Sequence, residues 1–131
     1  MKILLILSPL LLAFSFTNAQ CKIYQGKYSS GTPIAVFQDG NIYKGKDVSG
    51  KPVGVIEGNK VFLGKYASGT PVGVIEGDRI YKGKNASGKP IAIIAGNRVY
   101  RDKYSSNTQI ATIEKDCAEC AFAAAAYLLL F

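Results

Sequence analysis

Histidine and tryptophan are absent from the 131-residue chain, and cysteine is scarce at three residues. Without histidine no Ser-His or Cys-His nucleophile pair can be assembled. With the sulfur confined to Cys21, Cys117 and Cys120, near the two ends, no metal site of the His/Cys type is expected. The acidic residues sit at turns or opposite bases, so no carboxylate pair stands apart as general acid and base. These absences point away from an enzyme, and no cofactor is expected. Charged residues make up only 19% of the chain but are unbalanced, with 16 Lys and Arg against 9 Asp and Glu. Apolar runs fall short of the ~20 residues that a membrane-spanning helix needs. One such run, Ile3 to Phe16, follows Met1-Lys2 and precedes Thr17-Asn18-Ala19. That order is the pattern of a secretory signal peptide cut after Ala19, which makes disulfides permissible in the remainder.

What the chain does have is repetition. Tyr24, Tyr43, Phe62, Tyr81 and Tyr100 recur at intervals of 19 residues, defining five units at 22–40, 41–59, 60–78, 79–97 and 98–116. A fixed period of this length signals a repeat architecture. The expected organisation is therefore a signal peptide at 1–19, a five-repeat domain at 20–116 and an apolar tail at 117–131.

Each unit reads as two short strands rich in Val, Ile and aromatic residues, bounded by turn formers. Asp39-Gly40, Gly58-Asn59, Gly77-Asp78 and Gly96-Asn97 are tight-turn dipeptides. A wider link carries Ser30-Gly31, Ser49-Gly50, Ser68-Gly69 and Ser87-Gly88, with Ser106-Asn107 in the fifth unit. Serine there satisfies the turn by hydrogen bonding, and the residue after it accepts a left-handed backbone. Pro33, Pro52, Pro71 and Pro90 then open the second strand, where a missing N–H is tolerated.

The tight turns set a register in which Glu57 faces Lys60, Ile56 faces Val61, Val55 faces Phe62 and Val53 faces Gly64. The face bearing Val53, Val55 and Phe62 is the expected core, with Gly64 leaving room for the ring beside it. The opposite face is apolar only near the turn, at Ile56 and Val61. A lone hairpin of this size is not stable in water, so five must cover one another, as a stack or as a closed ring. Closure is favoured because it brings Cys21, just before the first unit, beside Cys117, just after the last. A Cys21–Cys117 disulfide is expected, with Cys21–Cys120 as the alternative and a Cys117-x-x-Cys120 redox pair third, since no βαβ pattern accompanies that spacing.

Lys27, Lys46, Lys65, Lys84 and Lys103 form the one charged column filled in every unit. Closure would arrange them as a ring able to hold a polyanion such as a lipid A phosphate or an acidic polysaccharide. The bland reading is a set of solvated strand-end lysines that discourages edge aggregation. Nucleic acid fits poorly among the polyanions, because the charge is moderate and the chain reads as exported. The tail breaks the period: "AFAAAAYLLLF" contains strong helix formers and no charge. It could dock into the hub of the ring, insert in a membrane interface or serve as an edge strand; docking on the domain or on a partner is expected, against peripheral membrane contact through residues 121–131.

With the units laid out, "IYKGKDVSGKPVGVIEGN" (Ile42 to Asn59) and its four siblings resemble the hairpins of bacterial β-flower proteins, specifically the fivefold type, over residues 22–116. The Ala-rich tail is similar to that family's C-terminal segment. The resemblance implies a closed pseudo-fivefold ring and export, and it implies no active site. The "YKG…SGK" text is also similar to MORN repeats, which are longer, and the period to choline-binding repeats, which depend on tryptophan. The expectation is thus an all-β ring acting as a non-enzymatic structural or binding protein of the bacterial cell envelope, whether periplasmic, outer-membrane associated or secreted. The alternative is a polyanion-binding module using the lysine column.

Overall fold

The computed structural model describes residues 20–102, 108–114 and 117–131. The expected signal peptide, Lys103 and the fifth unit's Ser106-Asn107 lie outside the described residues. Ten strands follow in order: β1 (Cys21–Gln25), β2 (Ala35–Gln38), β3 (Asn41–Lys44), β4 (Gly54–Glu57), β5 (Lys60–Leu63), β6 (Gly73–Glu76), β7 (Arg79–Lys82), β8 (Ala92–Ala95), β9 (Arg98–Arg101) and β10 (Gln109–Ile113). A helix, α1 (Ala118–Leu129), completes the chain. Every strand pairs antiparallel with its sequence neighbours, and β1 pairs with β10, so the sheet closes into a barrel and leaves no edge.

The turn chemistry explains the pairing. Gly58, Gly77 and Gly96 take φ of 64°, 65° and 63° at the first turn position, whereas the reversed dipeptide Asp39-Gly40 has positive φ at both residues, 54° and 82°. These are the two backbone patterns whose twist matches that of a hairpin. The resulting register is the expected one: Glu57 opposite Lys60, Ile56 opposite Val61 and Val55 opposite Phe62 in β4–β5, with the same columns in β2–β3 and β6–β7.

Four hairpins are covalent (β2–β3, β4–β5, β6–β7 and β8–β9), and the fifth is assembled from the two ends of the domain. In β1–β10, Ile23 faces Ile113 and Tyr24 faces Thr112, repeating the columns of Val61–Ile56 and Phe62–Val55. The match extends to the ends: Glu114 donates its backbone N–H to the Lys22 carbonyl at 2.9 Å, and Gly26 donates to Ile110 at 2.8 Å, as Gly64 does to Val53 at 2.9 Å. The closing hairpin is thus a normal hairpin whose turn is missing.

The inward face is the opposite of the one expected. Ile23, Ile42, Ile80, Ile113, Val61 and Val99 are fully buried and belong to the central cluster together with Phe37, Ile56 and Ile94. The Val55–Phe62 pair and its siblings lie on the outer face, where each valine is covered by the aromatic residue across the ladder; Val55 and Phe62 are each 9% exposed. Val53, with Ile34, Val72, Ile91 and Ile110, half-buried, packs on the margin of the core. Gly64 has a different reason from the one expected as well. A Cβ there would meet nothing within 4 Å, so no ring fills the space; its φ of +96° is what selects glycine.

The barrel interior has two layers. Near the tight turns it is bulky and apolar: Phe37–Ile42, Ile56–Val61, Ile75–Ile80, Ile94–Val99 and Ile113–Ile23. Toward the wide loops each ladder supplies a small residue instead: Ala35, Gly54, Gly73, Ala92 and Ala111. Helix α1 is complementary to both. Its alanine-rich stretch, Cys120 to Ala126, is buried without a break and sits where the wall is bulky. A helix apolar on all sides is the kind that a core can enclose. Its end, Leu128 to Phe131, fills the space over the small residues: a Cβ at Gly73 would come within 2.6 Å of Leu130 Cδ1, and one at Gly54 would collide with the Phe131 ring. The tail therefore docks on its own domain, in the hub.

Candidate functional site

The two ends of the barrel differ in chemistry, and the wide-loop end carries the candidate site. At the close of β3, β5 and β7, Gly45, Gly64 and Gly83 take φ of 99°, 96° and 100° and turn the chain outward. The next residue is a column lysine. Lys27, Lys46, Lys65 and Lys84 are all exposed and all lie at this end, so the closed barrel brings the described part of the column to one face; Lys103 is outside the described residues. Each loop then passes through Ser-Gly, with φ of 82°, 78°, 79° and 75° at Gly31, Gly50, Gly69 and Gly88. In the second loop the Ser49 hydroxyl donates to Asp47 Oδ1 at 2.6 Å and its backbone N–H donates to the same oxygen at 3.3 Å. The side-chain bond, then the backbone bond, holds the Asp47 carboxyl below its ordinary range.

Sequence reasoning missed two further sets. Lys44, Lys82 and Arg101 stand across from Ala35, Gly73 and Ala92, at positions of inward parity, yet all three are exposed because their strands end at the barrel mouth. The signal was available as a second column at intervals of 19 residues, Gln25-Lys44-Leu63-Lys82-Arg101, and it was obscured by its two uncharged members. The other set is aromatic. Tyr28 and Tyr66 are 74% and 65% exposed, with Leu63 at 60%. The Lys65 ammonium lies 5.1 Å from the Tyr66 ring centroid, a cation–π contact that leaves most of the ring open to solvent.

With Lys51 and Lys89 in the same loops, nine described Lys and Arg residues occupy this end against Asp47 and Asp102. The tight-turn end reverses the balance: Lys22, Lys60, Arg79 and Arg98 against Asp39, Glu57, Glu76, Asp78, Glu114 and Glu119. The described residues thus carry a formal +7 at one end and −2 at the other. A separation of this kind creates a potential that attracts anions to one face and repels them from the other.

The cysteines gather at the tight-turn end, where the missing fifth turn would be. Cys21 bonds to Cys120, with Cα atoms 6.4 Å apart, and not to Cys117, which is free and exposed. The expected first pairing is thereby corrected in favour of its alternative. Cys117 is the residue before the helix, in an extended conformation with φ −140° and ψ 116°. Cys120 lies one turn inside it and faces the start of β1 from the core. A disulfide is consistent with an oxidising compartment. A cavity of about 260 Å³ opens beside the bond, lined by Gln20, Cys21, Phe37, Asp39, Cys117 and Glu119.

A family model described as "6-fold beta flower protein" matches residues 19–129, which includes both the barrel and the helix. Its sixfold count differs from the fivefold type that the repeats resemble; the ten strands here make five hairpins. No curated protein matches the chain, and neither does any solved structure.

Proposed function

This chain belongs to the 6-fold beta flower protein family, and on that footing we propose that it is a five-hairpin member acting as an exported binding module without enzymatic activity, whose wide-loop end holds an anionic glycan of the bacterial cell envelope. The observation that carries this reading is the segregation of charge: nine described cations against two anions at one end of the barrel. A solvated lysine fringe whose only task is solubility has no need to crowd the carboxylates toward the other end. The exposed rings of Tyr28 and Tyr66 support a sugar in particular, since a ring face offers a sugar an apolar platform beside the cations. Lipid A phosphates and acidic polysaccharides share this chemistry of anions borne on sugar rings.

The test is retention on immobilised heparin and on lipid A vesicles, for the protein and for a variant with Lys46, Lys65 and Lys84 all changed to Gln. Elution of the variant at markedly lower salt on either support is expected, because exposed charges act through a screened field. Unchanged retention on both would end the proposal. A variant changing Lys60, Arg79 and Arg98 at the other end removes the same charge and is expected to elute nearly with the parent.

A further inference from the structure

Three cysteines gather where the fifth turn is missing. We propose that Cys117 makes the start of α1 a thiol–disulfide exchange site, in which the Cys21–Cys120 bond is traded for Cys117–Cys120 and the first strand is released from the helix. Three observations carry it. First, the two residues of the Cys-x-x-Cys segment differ in setting: Cys117 is exposed and is the residue preceding α1, while Cys120 is fully buried one turn along. Cys117 is the cap and Cys120 the third helical residue, the pair of positions across which a cap side chain reaches the first turn, so the entering thiol has a bonded sulfur within its range. Second, Cys117 and Cys21 line the same cavity, which leaves room for the sulfur that departs. Third, no side-chain hydrogen bond caps the helix at Cys117, so its thiol is not engaged in holding the helix start.

The step balances without an outside oxidant or reductant. Cys117 loses its proton to water, and its thiolate attacks Sγ of Cys120. The Cys117–Cys120 bond forms, the Cys21–Cys120 bond breaks with its electron pair going to the Cys21 sulfur, and Cys21 takes up a proton. Attack at the other sulfur is disfavoured by where it would leave the charge. It would produce Cys21–Cys117, the pairing first expected from the sequence, and expel a Cys120 thiolate into an apolar core, where an unpaired charge is costly. Departure of Cys21 places the charge at the edge of the open cavity instead.

The exchange changes what the bond restrains. Cys21–Cys120 spans 99 residues and ties β1 to the core helix; Cys117–Cys120 spans three and ties the helix only to itself. Helix α1 stays in the barrel through its packing, while β1 keeps its ladder bonds to β10 and β2 and the burial of Ile23 but loses its covalent tie to the helix.

The test is time-resolved alkylation and peptide mapping of the oxidised protein held at alkaline pH without reductant, since only the thiolate attacks. The expected result is label appearing on Cys21 as it disappears from Cys117, at a rate unchanged on tenfold dilution, and at least tenfold less Cys21 label in C117S. Absence of label on Cys21, equal label in C117S, or a rate that scales with concentration would each overturn the proposal. The variant C21S adds a readout independent of the exchange. Treated with glutathione disulfide, it is expected to form Cys117–Cys120; two persisting thiols would show that the pair cannot bridge and would also overturn it.

Discussion

Cutting the Cys21–Cys120 bond should be strongly destabilising to this barrel. The bond joins positions 99 residues apart and so restrains almost the whole repeat domain. In the chain-entropy model a loop of about 100 residues stabilises the folded state by ~4.7 kcal/mol at 25 °C. The closing hairpin sharpens the consequence, because β1 and β10 are the one hairpin pair held by ladder bonds without a connecting turn. With a urea m-value of ~1.5 kcal/mol/M, within the range for a domain of this size, loss of the bond moves the midpoint down by roughly 3 M. Urea unfolding of the oxidised protein, the reduced protein and C21S would measure it, with C117S as the control that retains the native bond. The reduced protein and C21S should fall together, well below the parent and C117S. A shift under about 0.5 M, near 0.8 kcal/mol, would refute the reasoning, since ladder pairing and helix packing would then suffice to close the barrel.

Three other outcomes follow from the same geometry. Gly73→Val puts a branched side chain where even a Cβ reaches Leu130 Cδ1 at 2.6 Å, so it should cost ~1–3 kcal/mol by thermal unfolding; an unchanged melting temperature would contradict that packing. Gly64→Ala meets no atom within 4 Å yet should still destabilise, by ~1 kcal/mol, because φ is +96° there; a neutral result in urea would refute the backbone explanation of that glycine. For Asp47 the folded carboxyl titrates below the usual value near 3.8, so its bonds to Ser49 support the folded loop above that pH and the support is lost as pH falls through the lowered folded value. An NMR titration of the Asp47 carboxyl should show this low midpoint, and Ser49→Ala should raise it.

The repeat period, the ten strands, the turn positions and the ladder register could all be read from residues 22–116, because each rests on local rules that act within a hairpin. Closure could be read too, from cysteines flanking a whole number of units. Which face turns inward could not be read the same way. Alternation separates Ile56 and Val61 from Val55 and Phe62, but both sets are apolar, and period alone does not say which one curvature encloses. The deciding signal is size. Gly54, Gly73, Ala35, Ala92 and Ala111 share the parity of Ile56, and only a wall lined with small residues admits Leu130 and Phe131. That column acquires meaning once a helix is placed inside, and the helix was a separate inference from the tail. The disulfide failed for a related reason: sequence distance made Cys117 and Cys120 equivalent neighbours of Cys21, whereas one helical turn separates an exposed sulfur from a buried one. At the candidate site, Lys27, Lys46, Lys65 and Lys84 were legible as a column. Lys44, Lys82 and Arg101 were not, since the wide-loop end exists as a face only after the hairpins have closed.

Whether one end of the closed barrel receives an anionic glycan and the other does not can be seen by following backbone amide signals by NMR during titration with a heparin oligosaccharide. Shifts are expected in the wide loops alone, at Lys27, Tyr28, Lys46, Lys65, Tyr66 and Lys84, with the turns at Gly58, Gly77 and Gly96 unmoved. Shifts centred on those tight turns, or none at saturating sugar, would contradict it.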